Sequence, residues 1–232
     1  MSLHQRNRTM GRISRSAPIE AVFPQHSPAE RRADALVHAV GLVLGLVACI
    51  LLAATALPRA RLWHLVSLGL YAAGLMAMLS CSALYNLTTA GPRKALFRRL
   101  DHAAIFLMIA GTYTPFTLVA IGGALGVGLC ILVWAVAADG IAVELLAPTR
   151  SDNLLVATYL LLGWVILVAF APLSAAVSLA GLMLLVAGGV LYSVGVVFHV
   201  WTSLPYQNAI WHGFVVAAAA CHYLAVFREI VV

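Results

Sequence analysis

The sequence predicts an all-α fold, a bundle of seven transmembrane helices with the N-terminus in the cytoplasm and the C-terminus outside. Three observations predict it. Of the 232 residues, 63% are hydrophobic and 9% are charged, against roughly 45–50% and about 25% in soluble domains. The apolar residues gather into seven stretches, at about 35–57, 64–87, 101–121, 124–146, 154–171, 176–200 and 208–229, each near the roughly 20 residues that cross a hydrocarbon core. The cations divide unequally between the two sides that these spans define, eleven on the N-terminal side and three on the other, which is the positive-inside pattern. The composition excludes a disordered chain, a disulfide scaffold and an ordinary cytosolic enzyme. The net charge of +6 would suggest nucleic acid in a soluble protein; here it reads as topology, with no nucleic-acid partner.

Residues 1–33 are polar, with Arg6, Arg8, Arg12, Arg15, Arg31 and Arg32. They lack the apolar core of a signal peptide and read as a disordered tail beside an anionic membrane surface. Residues 34–232 read as a single transmembrane domain. Its spans are helical because an isolated strand in lipid leaves its backbone unpaired. Span one opens on Asp34 and His38 and carries Gly41-Leu-Val-Leu-Gly45, a small-xxx-small pattern that supports close helix contact. Span two ends on Ser82 and Asn86, four residues apart and on one helix face. Span three opens on Asp101 and His102 and contains Pro115. The proline is expected to kink the helix, with nearby hydroxyls satisfying the freed carbonyl. Gly122 and Gly123 separate spans three and four, and Pro172 is taken to separate five and six. Span four carries Asp139 and Glu144. Glu144 reads as a snorkelling charge at the inner interface, and Asp139, about a turn deeper, must face the bundle or water. Span six ends near His199, and span seven opens on Asn208 and His212, again four apart. His222 lies ten residues beyond His212, roughly 15 Å deeper and within about 80° of the same face. The four cysteines, Cys49, Cys81, Cys130 and Cys221, sit singly in apolar runs and read as small buried hydrophobes.

Ionisable groups within a span cost several kcal/mol and mark functional candidates. Five spans place such groups at one depth near the cytoplasmic edge: Asp34 and His38, Ser82 and Asn86, Asp101 and His102, His199, and Asn208 and His212. His222 and Asp139 are further members of the expected polar pocket.

These residues carry a resemblance. Ser82-Ala83-Leu84-Tyr85-Asn86 resembles the Ser-x-x-x-His signature of the hemolysin III and adiponectin-receptor-like (progestin and adipoQ receptor) membrane proteins. Leu100-Asp101-His102, followed by Gly111-Thr112-Tyr113-Thr114-Pro115-Phe116, is similar to that family's third-helix block. Pro205-Tyr206-Gln207-Asn208-Ala209-Ile210-Trp211-His212-Gly213, with Cys221-His222-Tyr223, is similar to its last-helix block. The resemblance covers about residues 29–229, and the bacterial hemolysin III branch looks nearest.

The resemblance implies seven helices with a cytoplasmic N-terminus and a zinc site. Zinc is held in that family by the His of Ser-x-x-x-His and by two last-helix histidines, with the helix-three Asp nearby through water. Those positions here are Asn86, Asn208 and His212, with Ser82 and Asp101 beside them. Two of the three ligand positions are thus Asn, and a neutral amide is a poor substitute for imidazole on zinc. One repair is a rebuilt site of His212, His199 and Asp101, with Asp139 or His38 as fourth ligand. The other reading is a pocket without zinc, held by hydrogen bonds among Asn86, Asn208, Asp101 and His212.

Two functions follow as expectations. One is a receptor-like or membrane-homeostasis protein whose cavity takes a membrane lipid or fatty acid. The other is a zinc-dependent hydrolase of ceramide-like lipid amides, with Asp101 as general base and Ser82 as orienting donor. A pore-forming hemolysin is a lesser alternative. The oligomeric state is left open.

Overall fold

The computed structural model describes residues 27–58, 61–89, 91–146 and 152–231. All regular structure among these residues is helical, and seven helices are long and apolar enough to cross a membrane. They are α1 (Pro28–Ala56), α2 (Leu62–Leu87), α3 (Pro92–Ile121), α4 (Gly123–Leu146), α5 (Asn153–Ala176), α6 (Leu179–Val200) and α7 (Gln207–Val231). α2 packs on α3, α6 on α7, α3 on α4, and α1 on both α2 and α7.

The helix starts obey local chemistry that hydropathy does not report. α1 begins at Pro28, inside the range read as tail. Ser27 caps it: its hydroxyl accepts from Glu30 N at 3.3 Å, and Glu30 Oε2 accepts from Ser27 N at 2.8 Å. This reciprocal capping box, with Pro28 in the first turn, fixes a helix start regardless of polarity. Residues 28–33 are therefore helix, and the tail expected before them lies outside the described residues. α3 begins at Pro92 rather than near 101, directly after Gly91, so the basic cluster Arg93–Arg99 occupies its first two turns.

The α3–α4 break falls where two glycines were expected to place it. Gly122 and Gly123 both have positive φ, 63° and 59°, which a side chain would strain. The α5–α6 break does not fall at Pro172. Pro172 sits inside the last helical segment of α5, Phe170–Ala176, near its start, where a missing N–H is tolerated. α6 instead starts after Ser178, whose hydroxyl accepts from Gly181 N at 3.1 Å. Glu229 of α7 holds this turn from outside, accepting from Ser178 N at 2.8 Å and from Ser178 Oγ at 2.5 Å.

Two helices depart from α geometry. α3 passes Pro115 into a π-helical turn over Phe116–Ile121. Hydroxyls do bond carbonyls here, but those of Met108 (from Thr112, 2.8 Å), Ala110 (from Thr114, 2.7 Å) and Tyr113 (from Thr117, 2.9 Å), on either side of the Gly111 carbonyl that the proline frees. α5 tightens to 3₁₀ over Val165–Ala169. Tyr113 of α3 repairs that irregularity: its hydroxyl donates to Leu162 O and Gly163 O and accepts from Ile166 N at 2.9 Å. Non-helical backbone within a membrane is tolerated where protein groups satisfy it in this way.

Glycines set the helix spacing. A Cβ on Gly74 would lie 2.9 Å from Leu107 O, and one on Gly111 would lie 2.8 Å from Leu70 O, so α2 and α3 meet backbone to backbone. Gly41 faces Val216 of α7 and Gly45 faces Leu79 of α2, the contact that their spacing predicted. Tyr71 and Phe106 are wholly buried in the core, and all four cysteines are free thiols.

Candidate metal centre

The start of α1, the end of α2, the start of α3 and the start of α7 lie at one end of the bundle, and their polar residues converge there. Asp34 and His38 are one turn apart on α1, which turns both toward the bundle; each is 5% exposed. His212, one turn into α7, is 7% exposed. Its Nδ1 lies 2.6 Å from Asp34 Oδ1. His38 Nε2 lies 3.6 Å from Asp34 Oδ2, and the two imidazole centroids are 4.3 Å apart. One ligand atom from each of the three residues falls within 4.8 Å of the others.

The far edge of the His212 ring meets α2. His212 Nε2 lies 3.5 Å from Ser82 Oγ and 3.4 Å from Asn86 Nδ2. Asn86 also donates to Ser82 O, and Asn208 Nδ2 donates to Asn86 Oδ1 at 3.3 Å. Because the Asp34 carboxylate can only accept, Nδ1 is the protonated nitrogen and Nε2 accepts from α2. The Asp101 carboxylate faces the Ser82 hydroxyl. Ser82, Asn86, Asp101, Asn208 and His212 all line one cavity of about 660 Å³.

This cavity runs from the polar cluster into the bundle. Its mouth is flanked by Arg31, Lys94 and Arg98, and its walls include Met78, Leu79, Met108 and Val216. Lys94 also closes the end of α2, donating to Tyr85 O at 3.0 Å and to Thr88 O at 2.9 Å, which satisfies terminal carbonyls. His222 lines the cavity as well, with its Nε2 3.2 Å from Leu185 O.

Three placements differ from expectation. Asp139 is exposed and does not line the cavity, whereas Glu144 is buried, 5% exposed, and its Oε2 lies 3.3 Å from His102 Nδ1. The two carboxylates are five residues apart, hence about 140° apart around the helix, so turning Glu144 inward turns Asp139 out. His102 lines the cavity but faces Glu144 of α4. His199 lines the mouth with its ring 5.1 Å from Trp211, outside the Asp34–His38–His212 group.

A sequence model of the haemolysin-III-related family matches residues 29–223. The chain belongs to that family. It is 36% identical to the Hemolysin-3 homolog of Bacillus subtilis (strain 168) over 197 residues, which is 85% of this chain and 92% of that protein. It is also 36% identical to Hemolysin-3 of Bacillus cereus, covering 85% of this chain and 90% of that protein. At 28% identity it is similar to the human Monocyte to macrophage differentiation factor, covering 72% of this chain and 71% of that protein. Together with the seven apolar helices, membership makes this haemolysin-III-related chain an integral, multi-pass membrane protein.

The two donor sets of this haemolysin-III-related chain differ in their fit to a cation. At the positions where the resemblance implied zinc ligands, Asn86 and Asn208 are hydrogen-bonded to each other and Asn86 to His212. Two neutral amides and one imidazole make a weak set for zinc. On the other edge of His212, Asp34, His38 and His212 supply one carboxylate and two imidazoles, all buried, the donor types that bind zinc with coordination positions to spare. His38 Nε2 supports that fit: it is buried and makes no hydrogen bond, a costly state for a polar atom unless something else engages it. Asp34 was legible as polar at the head of span one, but not as a ligand. The signal was its spacing from His38, the same four-residue interval that marked Ser82–Asn86 and Asn208–His212.

Proposed function

We propose that the protein binds a membrane lipid or fatty acid in the cavity and holds a divalent cation, zinc by donor chemistry, between Asp34, His38 and His212. The role is receptor-like or homeostatic, in the bacterial inner membrane. The observation that carries this reading is the continuity of a buried His₂-carboxylate group with an apolar cavity of about 660 Å³, inside the usual size range of small-molecule sites. A ligand's polar head would meet the cluster and the cationic mouth, and its chain the apolar walls. The test is elemental analysis together with native mass spectrometry of the purified protein. About one zinc per chain is expected, with bound lipid, and Asp34→Ala should lose the metal. Wild-type protein carrying neither metal nor lipid sinks the proposal.

A second reading, hydrolysis of a lipid amide, is favoured by the Ser82 hydroxyl, which lies beside His212 and faces the Asp101 carboxylate. A bound zinc ion would supply a polarised carbonyl and a water acidified toward a pKa of about 7. In this reading Asp101 takes a proton as general base, and Ser82 orients the substrate by donating a hydrogen bond. Fatty acid released from a lipid amide by wild type, and lost in Asp101→Asn with metal retained, supports this reading. No release by zinc-loaded protein rejects it.

A further inference from the structure

We propose that the deep end of the cavity recognises an alcohol, so that the preferred ligand is a long-chain amphiphile hydroxylated part-way along its chain. This rests on the lipid-binding reading above and names the class of lipid. Tyr192 of α6 and His222 of α7 both line the cavity, with their rings 5.6 Å apart. The Tyr192 hydroxyl is buried and makes no hydrogen bond. His222 Nε2 lies 3.2 Å from Leu185 O. A carbonyl only accepts, so Nε2 carries the hydrogen, and the neutral ring keeps an acceptor lone pair on Nδ1.

One unused donor and one acceptor on rings whose centres are 5.6 Å apart match a single alcohol, which accepts from Tyr192 and donates to His222. A methylene at this point would leave the Tyr192 hydroxyl unsatisfied, at a cost in an apolar interior. The neighbouring polar groups that line the cavity do not compete for the role. Trp164 Nε1 donates to Ser193 Oγ at 3.0 Å, Ser193 Oγ donates to Gly189 O at 2.8 Å, and Tyr113 is occupied on α5. The depth is set by α7: His222 is ten residues beyond His212, roughly 15 Å along the helix. The alcohol therefore sits about 15 Å from the head group, with apolar wall such as Val215, Val216 and Met108 between.

The test compares binding of a long-chain fatty acid hydroxylated about 15 Å from its carboxylate with binding of its unhydroxylated parent, on the purified full chain. Wild type should prefer the hydroxylated acid by about threefold to tenfold, the yield of one hydrogen-bonded group. Tyr192→Phe should erase the preference while still binding the parent. Tyr223→Phe also removes a buried hydroxyl that makes no hydrogen bond, but one outside the cavity lining, and should keep the preference. Equal binding of the two acids by wild type overturns the proposal, as does a preference that survives Tyr192→Phe. If neither acid binds, the lipid-binding reading itself fails and this inference with it.

Discussion

His212 offers one nitrogen to each of two neighbourhoods. Its Nδ1 meets Asp34 at 2.6 Å, and its Nε2 meets Ser82 and Asn86. A cation in the Asp34–His38–His212 group must take the place of the Nδ1 proton, because a metal-bound nitrogen carries none. The neutral ring then carries its one proton on Nε2 instead, so zinc titration into metal-free protein is expected to move the His212 hydrogen from Nδ1 to Nε2, read from the imidazole nitrogen shifts by NMR. Asp34→Asn or His38→Ala should weaken binding by at least about tenfold, the scale seen even for groups that only support ligands. Substituting Asn86→His and Asn208→His together tests the α2 edge instead. That variant should bind zinc even with Asp34→Asn present, because it restores three imidazoles around Nε2. Metal content in the triple variant no higher than in Asp34→Asn alone would show that the α2 edge cannot serve as a site. The convergence of these residues was legible because five helices put polar groups at one depth. The partner choices were not, since hydropathy gives depth and spacing gives a face, but neither says which neighbour a face meets. That is why Asp34, and not His199, is found beside His212.

At the scale of the helix, Tyr113 carries the most exposed dependency. Its one hydroxyl serves Leu162 O, Gly163 O and Ile166 N where α5 tightens to 3₁₀. Tyr113→Phe keeps the ring and removes all three partners, leaving buried backbone groups unsatisfied. A loss of about 1–3 kcal/mol is expected, measured by reversible unfolding in detergent micelles. Gly111→Ala attacks a different joint. Its Cβ would sit 2.8 Å from Leu70 O, and backbone cannot step aside as a flexible side chain can. Overpacking of about 1–3 kcal/mol is expected, by the same measurement. The helix boundaries show which signals the sequence carries openly. The Gly122–Gly123 break was readable because only glycine takes that conformation cheaply. The start of α1 was equally readable, in Ser27-Pro28-Ala29-Glu30, but only to a search for caps; a search for apolar runs begins too late. Pro172 misled because a proline permits the start of a helical segment as readily as it marks an end.

For the whole molecule, the charge bias predicts which compartment the polar end faces. The polar cluster lies at the same end of the bundle as the cationic start of α3, and the cations of the sequence divide eleven to three in favour of that side. In a membrane such a bias places the rich side in the cytoplasm. Fluorescent and phosphatase reporters on the two termini should therefore show the N-terminus inside and the C-terminus outside. The proposed metal centre gives a second readout that needs no fusion. Asp34, His38 and His212 line the cavity together with Arg31, Lys94 and Arg98, so a chelator is expected to reach them from the cationic side. A membrane-impermeant zinc chelator should leave the metal in place on right-side-out spheroplasts and remove it from inverted vesicles. Removal from spheroplasts alone would invert the orientation and make the extracytoplasmic side the source of both the cation and the ligand's polar head. Resistance on both sides would mean that the bound lipid seals the mouth, and stripping that lipid with detergent should then restore chelation.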